Sequence, residues 1–195
     1  MRLFVAIEVS PALRQELLRC QQILQHSSPA KISYTSTDNL HLTLAFLGDT
    51  DPSRLPQVEA AVREAALNST PFETSLLQAG CFPNARSPRI LWIGIADPSN
   101  SLGPLSTGLH IALQRLGFPK EEQPFSPHIT IGRVKTAALG IDQALKKLQP
   151  KQLAQQITTL HLFESVLRPT GAEYRNLGQF PLFVGRDKQP PTTDP

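Results

Sequence analysis

Cysteines are scarce in this 195-residue chain, which contains only Cys20 and Cys81. Two cysteines cannot form a disulfide framework, and the sequence has neither a C-x-x-C pair nor the ligand spacing of a zinc site. Long apolar runs are also lacking. The first one, LFVAI at 3–7, ends at Glu8, too early for a signal peptide and far too short to cross a bilayer. These absences predict a reduced, cytoplasmic chain without a membrane segment.

Charge of either sign is sparse as well, because only 18% of the residues are charged and the formal net charge is +3. Such a mildly basic chain permits an anionic partner without requiring one. No pattern signals oligomerisation, so a monomer is expected. The final residues, RDKQPPTTDP, have no apolar periodicity. We therefore predict a disordered tail at 186–195 and a single domain of two lobes at 1–185.

The secondary-structure signals alternate between short apolar strands and amphipathic helices. Ser10 followed by Pro11 is a helix start, and Asp51 followed by Pro52 repeats it. No glycine-rich βαβ unit occurs, which argues against a dinucleotide-binding fold and favours an α+β fold with mainly antiparallel sheets. We predict strands at 2–9, 41–48, 72–80, 89–95, 128–134, 156–165 and 174–184, and helices at 11–26, after Pro52, before Gly117 and from Ile141.

Two of these strands place a histidine and a threonine in an otherwise apolar run. They read HLTLAFLG at 41–48 and HITIGRV at 128–134. Side chains alternate faces along a strand, so His41 and Thr43 share one face, and His128 and Thr130 share the corresponding face of their strand. The two groups of a pair then lie roughly 7 Å apart. Each predicted lobe contributes one such strand.

A lone histidine on a half-buried strand is usually only hydrogen-bonded or solvent-facing, so the repetition of the pattern is what favours function. At neutral pH one imidazole can be protonated while its partner is neutral, which suits general acid and general base catalysis. Zinc binding is the chemical alternative. It requires three or four ligands, and neither strand carries a second histidine or a carboxylate on the same face.

Arg133 follows His128 by five residues and is a candidate anion-binding group. Strict alternation turns it toward the core together with Ile131, or leaves it as a solvated charge at the strand end. Gly132 permits a local bulge, and a bulge there moves Arg133 to the face of His128 and Thr130.

The doubled His-x-Thr motif resembles that of the two-histidine phosphoesterase superfamily. The surrounding segments narrow the resemblance to the RNA 2′,3′-cyclic phosphodiesterases, which are also described as 2′–5′ RNA ligases. It extends from Arg2 to about Phe183 and is carried by RLFVAIEV, NLHLTLAFLG, RILWIGI and FSPHITIGRV. The resemblance implies a bilobal fold with a central cleft between two pseudo-symmetric lobes, and neither a metal ion nor another cofactor.

The resemblance also implies a reaction and the residues that perform it. An RNA end or nucleotide bearing a 2′,3′-cyclic phosphate would be opened by water to the 2′-phosphomonoester. The implied roles are proton donor for His41, proton acceptor for His128, phosphate binding for Thr43, Thr130 and Arg133, and nucleoside binding for Phe4, which is otherwise an ordinary core residue. Gln123 departs from the pattern, because many relatives have a basic residue five positions before the second histidine.

Two other functions remain open from the sequence. A 5′-hydroxyl of RNA could replace water in the same step, which would make the protein a 2′–5′ RNA ligase. A binding module for RNA or nucleotides that keeps the cleft and performs little chemistry is the alternative from another class. Neither composition nor motif identifies the RNA that is bound.

Overall fold

The computed structural model describes residues 1–136, 140–169 and 171–183, and the tail predicted at 186–195 lies outside them. None of the helices in this part of the chain is long and apolar enough to cross a membrane. The elements are β1 (Arg2–Glu8), α1 (Pro11–Ser27), β2 (Ile32–Tyr34), β3 (His41–Asp49), α2 (Leu55–Leu67), β4 (Phe72–Phe82), β5 (Ile90–Ala96), α3 (Leu102–Arg115), β6 (His128–Val134), α4 (Ile141–Lys147), β7 (Ala154–Ile157), β8 (Thr159–Arg168) and β9 (Gly171–Pro181).

The two predicted helix starts are confirmed. The Ser10 side chain accepts a hydrogen bond from the backbone N–H of Leu13, and Pro11 occupies the first helical position of α1. Asp51 accepts from the backbone N–H of Ser53 and caps a short 3₁₀ turn, Pro52–Arg54, that leads directly into α2. Both helices therefore begin where a side chain satisfies a free backbone donor.

The strands form one sheet, ordered β7-β4-β5-β6-β3-β1-β8-β9, with β2 paired to β6. Neighbouring strands are antiparallel throughout, which confirms the predicted α+β class. Two sets of four strands meet at the β3–β6 junction. We call β3-β1-β8-β9 the His41 half and β6-β5-β4-β7 the His128 half. The junction is a single residue pair, Leu42 with Ile129, directly after the two histidines.

The predicted strand at 156–165 is wrong in one respect, because it is two strands that separate at Thr158. β7 pairs with β4 in the His128 half, whereas β8 pairs with β1 in the His41 half. The edge strand β7 comes near the end of β1, which belongs to the other half. The Gln155 side chain accepts a hydrogen bond from the N–H of Ser10 and donates one to the carbonyl of Glu8. β2 was not predicted at all.

The helices cover one face of the sheet. Leu3, Val5 and Ile7 of β1 point to this face and join the buried leucines of α1 and α3 in one large core. Phe4 and Ala6 point to the opposite face, where they form a separate small cluster with Phe163. This second face carries the polar positions of the histidine strands, and the core behind it fixes their backbone.

Candidate active site

Both histidine strands contain an irregularity at the same distance from the histidine. In β3, Thr43 pairs with Ala6 of β1 and Ala45 pairs with Val5, so that Leu44 between them has no partner in this register. In β6, the register with β5 runs from Trp92–Thr130 to Leu91–Gly132 and likewise leaves Ile131 out. Each extra residue reverses the alternation beyond it. The fifth residue after each histidine consequently lies on the histidine's own face.

This bulge brings Arg133 to the face of His128 and Thr130, which is one of the arrangements that the sequence left open. The glycine at 132 has a steric reason, because a Cβ atom there would lie 2.8 Å from Cγ2 of Ile32, where β2 approaches β6. The equivalent residue in β3 is Phe46, whose side chain is 71% exposed. Sequence reasoning missed Phe46, although its spacing from His41 equals that of Arg133 from His128.

The predicted site residues converge on one cavity, which we call the central pocket. Its volume is about 370 Å³, within the usual range for small-molecule sites. Both histidines, one from each half of the sheet, line it. All six residues singled out from the sequence are in its wall: Phe4, His41, Thr43, His128, Thr130 and Arg133. The sequence signal therefore selected groups that the fold brings together from distant positions in the chain.

The two imidazole rings are held in the same way. Nδ1–H of His41 donates to the carbonyl oxygen of Asn39 at 2.7 Å, and Nδ1–H of His128 donates to that of Ser126 at 2.6 Å. A carbonyl only accepts, so each Nδ1 carries a proton. In the neutral form of either ring, Nε2 is then the unprotonated nitrogen that can exchange a proton with a bound molecule.

The surroundings of the two rings differ. The His41 ring lies 4.9 Å from the ring of Phe4 and 5.3 Å from that of Tyr174, measured between ring centres. Burial lowers the pKa of His41 below its ordinary value, and the charge of His128 acts in the same direction, while the hydrogen bond to Asn39 opposes both. In the free protein the neutral form of His41 is thus favoured. His128 has Phe82 at 5.0 Å and Trp92 at 6.1 Å.

Two further residues of the central pocket were not predicted. Arg2 and Tyr174 both line it, and Arg2 shares the pocket face of β1 with Phe4. Burial raises the pKa of the Tyr174 hydroxyl, while the charges of Arg133 and Arg2 act to lower it. The two guanidinium groups are therefore close enough to Tyr174 to influence its ionisation. Their combined charge makes this wall of the pocket suitable for an anion.

Phe4 lines the pocket but is only 3% exposed. Its ring stacks on that of Phe163 with 5.2 Å between centres. Phe4 therefore forms the floor of the pocket and supports His41, and its predicted nucleoside contact remains a prediction. The ring of Phe46, which is exposed beside it, offers a free aromatic face.

A second cavity adjoins the first on the His128 side, and we call it the side pocket. Its volume is about 430 Å³. The two pockets share Thr43, Phe46, His128, Thr130 and Arg133, whereas His41 lines only the central pocket. The side pocket adds Phe82, Ile90, His110, Glu121, Gln123 and Phe125. The shared residues thus form a strip between two cavities of similar size.

Metal binding was the chemical alternative for the histidines. Across 1–136, 140–169 and 171–183, no three histidine, cysteine, aspartate or glutamate side chains come together as a metal site would require.

Known proteins resemble this chain in family and in fold. The family model described as the 2′-5′ RNA ligase superfamily matches residues 8–167. The chain belongs to the 2′-5′ RNA ligase superfamily. Superfamily relatives named RNA 2′,3′-cyclic phosphodiesterase include one from Methanothermobacter thermautotrophicus, 32% identical over 93% of this chain and 98% of its own. Another, from Archaeoglobus fulgidus, is 31% identical over 92% of this chain and 99% of its own.

Solved structures with the same fold include two that cover nearly all of this chain. A Thermus thermophilus protein aligns with a TM-score of 0.81 and 28% identity, covering 93% of this chain and 98% of that one. The Escherichia coli protein LigT, crystallised with 3′-AMP, aligns with a TM-score of 0.77 and 25% identity over 94% of this chain and 98% of its own. These relatives and neighbours are matched over nearly their whole length.

Proposed function

We propose that the protein hydrolyses the 2′,3′-cyclic phosphate of RNA ends or nucleotides to a 2′-phosphomonoester without a metal ion. The observation that carries this proposal is the convergence of His41 and His128, from opposite halves of the sheet, on one pocket that also contains Thr43, Thr130 and Arg133. The names of the full-length relatives and the 3′-AMP bound to the LigT neighbour support the substrate class.

In the proposed reaction, water attacks phosphorus in line with the departing O3′ of the ribose. Nε2 of His128 accepts the proton of the water, and Nε2 of His41 donates a proton to O3′. In-line displacement needs the base and the acid on opposite sides of phosphorus, and the location of the two histidines in opposite halves of the sheet supports this assignment. Thr43, Thr130 and Arg133 stabilise the negative charge that accumulates on the remaining oxygens.

The lowered pKa of His41 has a consequence for this assignment. An acid must be protonated when the reaction begins, yet burial favours the neutral ring in the free protein. The negative charge of the bound phosphate favours the protonated ring. We therefore propose that His41 acquires its proton as the substrate binds, so that the acid is fully formed only in the complex.

The test is incubation of the protein and adenosine 2′,3′-cyclic phosphate with EDTA present, followed by identification of the product. Turnover to adenosine 2′-monophosphate at a rate unaffected by EDTA is the expected result. Loss of turnover in EDTA that zinc or manganese restores would contradict the metal-independent mechanism. Tight binding with no turnover would indicate the binding module instead.

A further inference from the structure

Gln21 is a buried polar residue on α1, behind the sheet. Its side chain belongs to a residue that is only 7% exposed. Nε2 of Gln21 lies 2.8 Å from the carbonyl oxygen of Thr35 and 2.8 Å from that of Ile131. Carbonyls only accept, so the amide nitrogen faces both of them and donates one hydrogen to each. One buried amide group therefore fixes two backbone carbonyls at once.

The carbonyl of Ile131 belongs to the bulge in β6. Ile131 is the residue that the register with β5 leaves out, and beyond it Arg133 lies on the pocket face. The same carbonyl accepts from the N–H of Thr35, which follows β2, at 3.1 Å. Thr35 itself lines the central pocket. Gln21 thus connects the bulged residue to the neighbouring strand from behind the pocket.

The bulge in β3 has a weaker contact of the same kind. Ser106 of α3 is 2% exposed, and its Oγ lies 3.4 Å from the carbonyl oxygen of Leu44, the residue that the register with β1 leaves out. In both halves, a buried polar side chain of a helix therefore donates to the carbonyl of the bulged residue. Gln21 donates two short hydrogen bonds to carbonyls, whereas Ser106 donates a single long one. The bulge that is held more firmly is the one that presents a charged side chain.

The bulge in β6 decides where the charge of Arg133 lies. In a regular strand, Arg133 would share the core face with Ile131, where a guanidinium group without a partner is strongly unfavourable. A partial loosening of the bulge would displace the guanidinium from the phosphate. A misplacement of about 1 Å can lower a rate by about 10²-fold. The hydrogen bonds of Gln21 are therefore placed to influence the reaction without contact with the substrate.

We propose that Gln21 is a positioning residue that holds the β6 bulge through the carbonyls of Ile131 and Thr35 and thereby directs Arg133 toward the substrate phosphate. The inference rests on the proposed function, in which Arg133 stabilises the charge that accumulates on the phosphate oxygens. Gln21 reaches the backbone from the core side of the sheet. Its effect on the rate therefore passes through the side chain that the bulge presents.

A double-mutant cycle between Gln21 and Arg133 tests this role. Values of kcat and KM for adenosine 2′,3′-cyclic phosphate are measured for the wild type, Gln21→Met, Arg133→Ala and the double variant. Methionine has nearly the shape of glutamine but no N–H donor. Gln21→Met is expected to lower kcat about 10–100-fold with little change in KM, and to have no further effect on kcat when residue 133 is already alanine.

A residue with a merely structural role would lower kcat by the same factor in both backgrounds. Losses that multiply in the double variant, or an unchanged kcat in Gln21→Met, would therefore overturn the inference. If Gln21→Met does not fold, Gln21→Asn replaces it in the cycle. Asparagine keeps the amide but is one methylene shorter, so it cannot reach both carbonyls, and its effect should depend on Arg133 in the same way.

Two control variants separate positioning from general damage. Gln25→Met makes the same change at an exposed position one turn further along α1 and should leave kcat unchanged. Ser106→Ala removes the corresponding contact in the His41 half, so its effect should be the same with and without the Arg133 side chain. A dependence of the Ser106→Ala effect on Arg133 as strong as that of Gln21→Met would overturn the specific link between Gln21 and Arg133.

The two hypotheses fail separately. Absence of turnover in the wild type would overturn the proposed function and this inference with it. Normal turnover in the wild type, together with independent effects of Gln21→Met and Arg133→Ala, would overturn the positioning role alone.

Discussion

The two halves of the sheet repeat the same framework around different side chains. Each supplies a histidine clamped by a carbonyl two residues earlier, a threonine, and a bulge that turns the fifth following residue into the cleft. That fifth residue is an uncharged ring, Phe46, in the His41 half and a cation, Arg133, in the His128 half. In the proposed reaction, the duplicated scaffold provides the two proton-transfer groups, and single positions on it provide the asymmetry that a directional reaction needs.

The side chains beside the two threonines, on the next two strands of each half, differ in their order of size. Beside Thr43, β1 places the small Ala6 and β8 then places the larger His161. Beside Thr130, β5 places the large Trp92 and β4 then places Gly80. The two rows therefore have opposite orders of large and small side chains, and the repetition lies in the strand pairing rather than in the side chains.

Removal of the histidines should have the largest effect and should separate their roles. We expect His41→Ala and His128→Ala each to lower kcat for adenosine 2′,3′-cyclic phosphate by about 10²–10⁴, the usual contribution of general acid or base catalysis. The two variants should differ with bis(4-nitrophenyl) phosphate, whose leaving group departs without a proton. With this substrate, the kcat of His128→Ala should remain severely lowered, whereas the kcat of His41→Ala should be lowered far less.

Steady-state rates with both substrates, on variants shown by circular dichroism to be folded, provide the measurement. Equal losses for His41→Ala with the two substrates would refute its role as the acid. If His128→Ala were the variant rescued by the better leaving group, the two roles would have to be exchanged.

The next largest effect concerns the fifth residue of each bulge. Arg133→Ala should lower kcat by about 10²–10³, because it removes a charged donor from the oxygens that gain charge in the transition state. Phe46→Ala, the equivalent change in the other half, should change KM rather than kcat, since its ring contacts no developing charge. The split between kcat and KM in the two variants is the readout. A kcat loss in Phe46→Ala as large as that in Arg133→Ala would contradict the different roles assigned to these two side chains.

The comparison of the two halves also shows which residues of this site can be predicted from sequence. His41, Thr43, His128 and Thr130 were found because strand alternation is a local rule that needs no knowledge of the partner strand. Arg133 was a candidate because Gly132 permits a bulge and because the family resemblance includes an arginine at this position. Phe46 has the same bulge behind it, but Ala45 precedes it in place of glycine, and an apolar residue in an apolar strand gives no signal.

Features set by distant pairing were not predictable. Arg2 and Tyr174 reach the pocket because β1 and β9 lie in one half with β3, and no local pattern states which strands share a half. The apolar run at 156–165 likewise continues without a break in the sequence. Its division at Thr158 arises because β7 and β8 pair with strands from different halves.

A moderate effect on stability and rate is expected at Gly80, the small residue beside Trp92. A Cβ atom at Gly80 would overlap the indole ring of Trp92, which lies beside His128. Gly80→Ala should therefore lower the free energy of unfolding by about 1–3 kcal/mol, the usual cost of overpacking, and reduce kcat several-fold by displacing Trp92. Chemical denaturation and rates provide the two measurements.

Gly108 is the matched control for this change. It lies within α3, and a Cβ atom there would meet nothing within 4 Å. Gly108→Ala should leave kcat unchanged and raise the free energy of unfolding by about 0.5–1 kcal/mol, because alanine loses less conformational freedom than glycine in a helix. A Gly80→Ala protein that behaves like Gly108→Ala would show that the indole moves aside freely and does not position His128.

The smallest expected effect is a difference in titration between the halves. Because burial lowers the pKa of His41, the folded chain takes up that proton only at a pH below the ordinary histidine value of about 6.5, at which the unfolded chain takes it up. Between these two values the unfolded state binds more protons, so the free energy of unfolding decreases as the pH falls through this window and levels off below the folded pKa. His161, whose pKa is also lowered by burial, contributes in the same direction. The wild type must therefore be compared with His41→Gln, which should lose less stability over the same window.

In NMR titrations, the His41 ring of the free protein should have a pKa below the ordinary value, and adenosine 2′-monophosphate should raise it, since the bound anion stabilises the protonated ring. A His41 pKa that is unchanged by the ligand would refute the proposal that the acid is protonated as the substrate binds.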